Sequence, residues 1–79
     1  MKYEVRVQLK PDVLNVEAKE ILSAVHSFGF SSVLGCQTAK IFILELQDGA
    51  DCDEVVRKIA DEILSNNVIE DFSITKLNV

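Results

Sequence analysis

Seventy-nine residues make one domain, 1-79, and a chain of that size buries only about 60% of its unfolded surface, so self-association as a dimer or dimer of dimers is expected. Thirteen Asp plus Glu against eight Lys plus Arg leave a net charge of -5, without the cationic surplus that dominates affinity for DNA or RNA, so nucleic acid is excluded as a partner. No apolar run approaches the ~18 residues of a membrane span, and Met1-Lys2-Tyr3-Glu4-Val5-Arg6 lacks a signal-peptide core, so the expected location is the cytoplasm, with no membrane partner.

Tyr3, Val5, Val7 and Leu9 alternate with Glu4, Arg6 and Gln8, the pattern of a half-buried strand that Pro11 closes. Asn15 suits the N-cap of a helix over about 16–28, in which Ala18, Ile21, Leu22, Val25 and Phe28 recur at helical spacing and Gly29 suits the left-handed stop. A second strand region runs from Ser32 to Gln47. Its polar centre, Gln37-Thr38-Ala39-Lys40, reads either as a hairpin turn or as a bulge. Asp51 and Glu54 form an Asx version of the capping box, followed by Val55, Val56, Ile59, Ala60, Ile63 and Leu64 on one helical stripe. Asn66 or Asn67 is expected to end this helix in the left-handed conformation, and residues 68–79 read as the last strand.

The order β-α-β(β)-α-β predicts an α+β two-layer sandwich, an antiparallel sheet with two helices on one face, ferredoxin-like or a close variant. If Phe42, Leu44 and Leu46 face the helices, Ile41 and Ile43 point the other way; Phe72 and Ile74 facing inward likewise put Leu77 and Val79 outward. Ile41, Ile43, Leu77 and Val79 are therefore the candidate self-association residues.

The sequence carries little that reads as catalysis. His26 near a helix end has Ser23 and Ser27 beside it but no oxyanion donor, and reads as a surface histidine at the negative end of the helix dipole. Cys36 and Cys52 lack the spacing of a metal or redox pair and read as small buried or half-buried side chains. Most carboxylates lie on solvated helix faces. Glu70 and Asp71 are the exception, because they open a strand, where acidic residues are disfavoured; they are expected to cap the second helix, pair with Lys40 or Lys10, or dock on a basic partner. There is no Walker loop, dinucleotide fingerprint or nucleophile elbow.

The run Asn66-Asn67-Val68-Ile69-Glu70-Asp71-Phe72, together with Lys10, Val13-Leu14, Ala24-Val25-His26-Ser27-Phe28-Gly29-Phe30, Val33 and Lys40, resembles the PurS family, the small S subunit of phosphoribosylformylglycinamidine (FGAM) synthase. The resemblance covers nearly the whole chain and departs from the family at two loops. Asn15-Val16-Glu17-Ala18 stands where the family usually has Asp-Pro-x-Gly, and Gln37-Thr38-Ala39-Lys40 where it usually has Arg-x-Gly-Lys. It implies a subunit without catalytic residues, metal or cofactor of its own, bridging a glutaminase subunit and a large synthetase subunit that holds ATP and magnesium. Lys10, Lys40, Asn66, Glu70 and Asp71 are, on that resemblance, the candidate signature or partner-contact residues. The alternative from another class is a ligand-binding regulatory module with the same element order, but its usual glycine in the first strand-to-helix loop is absent from Pro11-Asp12-Val13-Leu14. A small phosphatase-like enzyme on this fold would need an arginine loop after the first strand, also absent.

Overall fold

The structure, a computed structural model, describes residues 1–77. Its elements are β1 (Lys2–Leu9), α1 (Val16–Ser27), β2 (Lys40–Glu45), α2 (Cys52–Ile59), which continues into a π-helical turn (Ala60–Leu64), and β3 (Glu70–Leu77). The strands form one antiparallel sheet in the order β2-β1-β3, matching the expected α+β class. The alternating strand β1 is central because both of its edges are paired.

Register then builds the inner face. Val5 lies opposite Phe42 on one side and Ile74 on the other, Tyr3 opposite Leu44, and Val7 opposite Phe72, so these side chains share one face. Tyr3, Val5 and Val7 are buried there under Cys52, Val56 and Ala60, which are four residues apart and so form a single stripe of the second helix. The same alternation turns Ile41 and Ile43 to the outer face, opposite Arg6 and Glu4, and Leu77 beside Lys2. Val79 lies outside the described residues.

Three local expectations need correction. The region from Ser32 to Gln47 pairs only over Lys40–Glu45, as one strand. Gln37-Thr38-Ala39 is thus neither hairpin turn nor bulge but the end of a loop, because β1 stops at Leu9 and leaves the residues before 38 nothing to pair with. Asp51 makes no side-chain cap bond: at φ -112° and ψ 21° its backbone is outside the extended region from which a cap side chain reaches back. Neither Asn66 nor Asn67 is left-handed. Among the described residues only Gly29, φ 95°, takes that conformation, where it ends α1 as its sequence position suggests. The second helix ends instead by widening: Ser65 N–H donates to the Ala60 carbonyl at 3.0 Å, its Oγ donates to the same oxygen at 2.8 Å, and Ser65 itself is extended.

The two helices play unequal parts. Asn15 caps α1 by accepting from the Ala18 N–H at 3.0 Å, yet no residue of α1 joins the core cluster, and the inner face is covered by α2. Instead α1 is tied to the segment that returns to β2, residues 28–39. Phe30 N–H donates to the Val25 carbonyl at 3.2 Å, His26 Nε2 to the Val33 carbonyl at 2.7 Å, and Asn15 Nδ2 to Thr38 Oγ1 at 2.9 Å. Helix and return segment make an arm extending from the Leu9 end of the sheet. The radius of gyration, 16.1 Å, accordingly exceeds the roughly 12 Å of a compact chain of this length, and the Cα extents are 51 × 30 × 14 Å.

Candidate functional site

Of the residues singled out for partner contact, Lys40, Glu70 and Asn66 converge. Lys40 sits opposite Val7 on β2, and Glu70 opposite Leu9 on β3, so both occupy the inner face from opposite edges of the sheet. Their side chains meet across the central strand, with Lys40 Nζ 3.5 Å from Glu70 Oε2. The other carboxylate oxygen of Glu70 accepts the Asn66 N–H at 2.8 Å, while Asn66 Oδ1 accepts from the Val68 N–H at 3.1 Å and the Asn66 carbonyl from the Glu70 N–H at 2.7 Å. Glu70 thus pairs with Lys40, one of the alternatives expected of it, and instead of capping the second helix it closes the turn that follows. Asp71, one residue on, lies opposite Gln8 and is exposed on the outer face. The Lys10 backbone N–H donates to the Ile69 carbonyl at 2.9 Å, binding the start of the first loop to the same turn.

This cluster borders an open groove at the base of the arm, lined by Val7, Leu9, Leu14, Val16, Lys40 and Glu70. The outer face offers a second surface: Ile41 is 47% and Ile43 54% exposed, side by side on an edge strand. A third surface went unrecognised in the sequence. On the arm, Phe28 is 81% and Leu34 95% exposed, with Val16, Ile21, Phe30 and Val33 also open to water. The signal was present in the helix, whose apolar positions form two rows, Ala18-Leu22-Val25 and Ile21-Phe28. Only the first row is buried or half-buried.

The remaining reactive groups have structural partners. The Tyr3 hydroxyl donates to Asp53 Oδ1, joining β1 to α2, and the bond to Asp53, followed by burial, pushes its pKa up to about 12. Cys52 is buried with its thiol on the Gln47 carbonyl at 3.3 Å, and Cys36 is half-buried; both are free. Among the described residues no three His, Cys, Asp or Glu side chains converge as metal ligands would, and no helix is long and apolar enough to cross a membrane.

Apolar patches and the Lys40–Glu70 pair are the distinctive features of this surface. The family model described as "PurS: Phosphoribosylformylglycinamidine (FGAM) synthase" matches residues 2–78. The chain belongs to the PurS family. The phosphoribosylformylglycinamidine synthase subunit PurS of Mycobacterium leprae is 33% identical over 72 residues, covering 91% of this chain and 90% of that one. The solved PurS of Methanocaldococcus jannaschii, one of the subunits of formylglycinamide ribonucleotide amidotransferase in the purine biosynthetic pathway, superimposes with a TM-score of 0.85 at 32% identity, covering 94% of this chain and 92% of its own. A chain of the Thermotoga maritima PurLQS structure shares the fold at 22% identity, with a TM-score of 0.74 and coverage of 96% and 95%. The PurS fold thus accounts for the three-stranded sheet and both helices of this chain.

Proposed function

We propose that this chain is the non-catalytic small subunit of a cytoplasmic FGAM synthase complex in purine biosynthesis. It bridges the glutaminase subunit and the synthetase subunit, so that ammonia released from glutamine reaches formylglycinamide ribonucleotide during ATP-dependent formation of formylglycinamidine ribonucleotide. ATP and magnesium belong to the synthetase partner. The observation that carries this reading is the family match over residues 2–78. It is supported by a surface whose distinctive features are apolar patches and a structural ion pair rather than a reactive constellation.

In this reading Ile41, Ile43 and Leu77 on the outer face, with Val79 beyond the described residues, provide a contact for self-association as a dimer or dimer of dimers. The turn around Lys10, Lys40, Asn66, Glu70 and Asp71 presents the face shown to the larger subunits. The experiment is reconstitution. The isolated chain is expected to hydrolyse neither glutamine nor ATP, and to raise glutamine-dependent FGAM synthesis sharply when added to the other two subunits. Full-rate, glutamine-dependent turnover by those two subunits without it would overturn the bridging role.

A further inference from the structure

An aspartate followed by glycine is the dipeptide in which a carboxyl carbon most readily closes a five-membered ring on the next backbone nitrogen, because no side chain shields that nitrogen. Of the six aspartates in this chain only Asp48 precedes a glycine; Val13, Cys52, Glu54, Glu62 and Phe72 follow the others. Asp53, Asp61 and Asp71 also lie in helical or strand backbone, whose regular geometry keeps the next nitrogen turned from the carboxyl carbon. Asp48 is free of that constraint, since β2 ends at Glu45 and α2 begins at Cys52. Its side chain is 89% exposed, and among the described residues the Gly49 N–H makes no backbone hydrogen bond.

We infer that Asp48 is a site of spontaneous isomerisation to isoaspartate, and that the conversion loosens the connection between β2 and α2. The Gly49 nitrogen attacks Cγ of the neutral Asp48 carboxyl group. The N–Cγ bond of a succinimide forms as the carboxyl OH and the amide proton leave together as water. Water then adds back to one of the two ring carbonyls. Opening at Cγ restores aspartate, whereas opening at the backbone carbonyl leaves the main chain running through Cγ, one methylene longer, with a carboxylate on Cα. Connectivity changes while mass and redox state do not. One contact opposes the reaction, because Asp48 Oδ1 lies 3.3 Å from the Met1 ammonium. An exposed pair of this kind slows it by no more than about five-fold, and the shorter carboxylate of the product gives the contact up. The Gln47 carbonyl holds the thiol of buried Cys52 at 3.3 Å, so the added methylene falls inside the short loop which that bond closes at the start of α2. The inference is independent of assembly with the larger subunits.

The test is ageing of the full chain in warm, mildly acidic buffer made with oxygen-18 water, followed by peptide mapping and labelling with an isoaspartate-directed carboxyl methyltransferase. Isoaspartate carrying heavy oxygen is expected to accumulate at Asp48. Gly49→Ala is expected to slow the conversion several-fold while keeping the fold, because Gly49 is not left-handed and a Cβ there would meet only Asp51 Oδ1, at 3.7 Å. Asp48→Asn, whose amide loses ammonia in the same ring closure, is expected to react faster than the parent. Asp48→Glu, which would need a six-membered ring, is expected to stay unconverted. A synthetic peptide of residues 46–51 sets the rate for an open chain. The site is overturned if the folded chain converts more than about 100-fold more slowly than the peptide, if isoaspartate appears first at another aspartate or asparagine, or if Gly49→Ala converts as fast as the parent. The aged chain, separated from the fresh one, is expected to melt at a lower temperature, and identical melting overturns the loosening of the connection.

Discussion

The two helices of this chain have similar apolar content and opposite fates. Val56 on α2 is fully buried, and so is Ala60 in the π-helical turn that continues it, because the stripe they form lies on Tyr3, Val5 and Val7 of the same chain. On α1, the row Ile21-Phe28 lies open to water, with Phe28 81% exposed. Helical periodicity in a sequence therefore states that a face is to be covered without stating by whom. In a domain this small the covering chain is often another copy.

A charge placed in each region should separate them. Val56→Asp sets a carboxylate in the middle of the core with no partner and should cost about 4 kcal/mol or more. That is enough to unfold the chain at every protein concentration in a thermal melt followed by circular dichroism. A melt that instead recovers as concentration rises would place Val56 in an interface and erase the contrast with the arm.

What could be read from residues alone follows the same division. Strict alternation in β1, the Asn15 cap and Gly29 at the end of α1 were legible because each depends on local geometry. The outward turn of Ile41 and Ile43 was legible too, since period two fixes it once Phe42 faces in. The length of β2 was not, because the extent of a strand depends on where its neighbour stops. The end of the second helix was missed because Ser65, which closes the widened turn on Ala60, carries no left-handed signature, while the two asparagines after it do. At the candidate site, the pairing of Lys40 with Glu70 was one of several open alternatives. The choice among them needed the strand order β2-β1-β3, which brings the two side chains over β1 from opposite edges. The arm remained hidden because periodicity marks an apolar row on α1 without saying whether the sheet of the same chain reaches it.

A smaller effect is expected from the outer face. Ile43→Glu should weaken self-association by about 3 kcal/mol if that face is an interface, so that sedimentation shows a smaller assembly than the parent forms at the same concentration. A variant as fully associated as the parent would take Ile43 out of any interface.

The mildest probe is alkali. The chain has a single tyrosine, and its pKa is raised from 10.0 to about 12 in the folded protein. The neutral hydroxyl is therefore favoured by folding. Its contribution is fully present below pH 10 and is lost as pH rises from about 10 through about 12. Phenolate absorbance of the parent should rise near pH 12, and its stability should fall over that window more steeply than that of Tyr3→Phe. Parallel stability curves for the two proteins would mean that the link from Tyr3 to Asp53 contributes nothing to holding α2 on the sheet, and that the sheet half owes its cohesion to packing alone.

The central position of β1 has a consequence for the order in which the molecule can assemble. Lys2 pairs with Glu45 on one side and with Leu77 on the other, so the earliest strand in the chain is flanked by the two later ones, and one of its edges stays open until the last strand has emerged. Such distant pairings close large loops and are slow to form. During synthesis β1 would wait with an apolar face and an unsatisfied edge, the kind of segment that invites pairing with other chains. The charged alternation of Lys2, Glu4, Arg6 and Lys10 between its apolar residues is what a chain needs to make that wait safe.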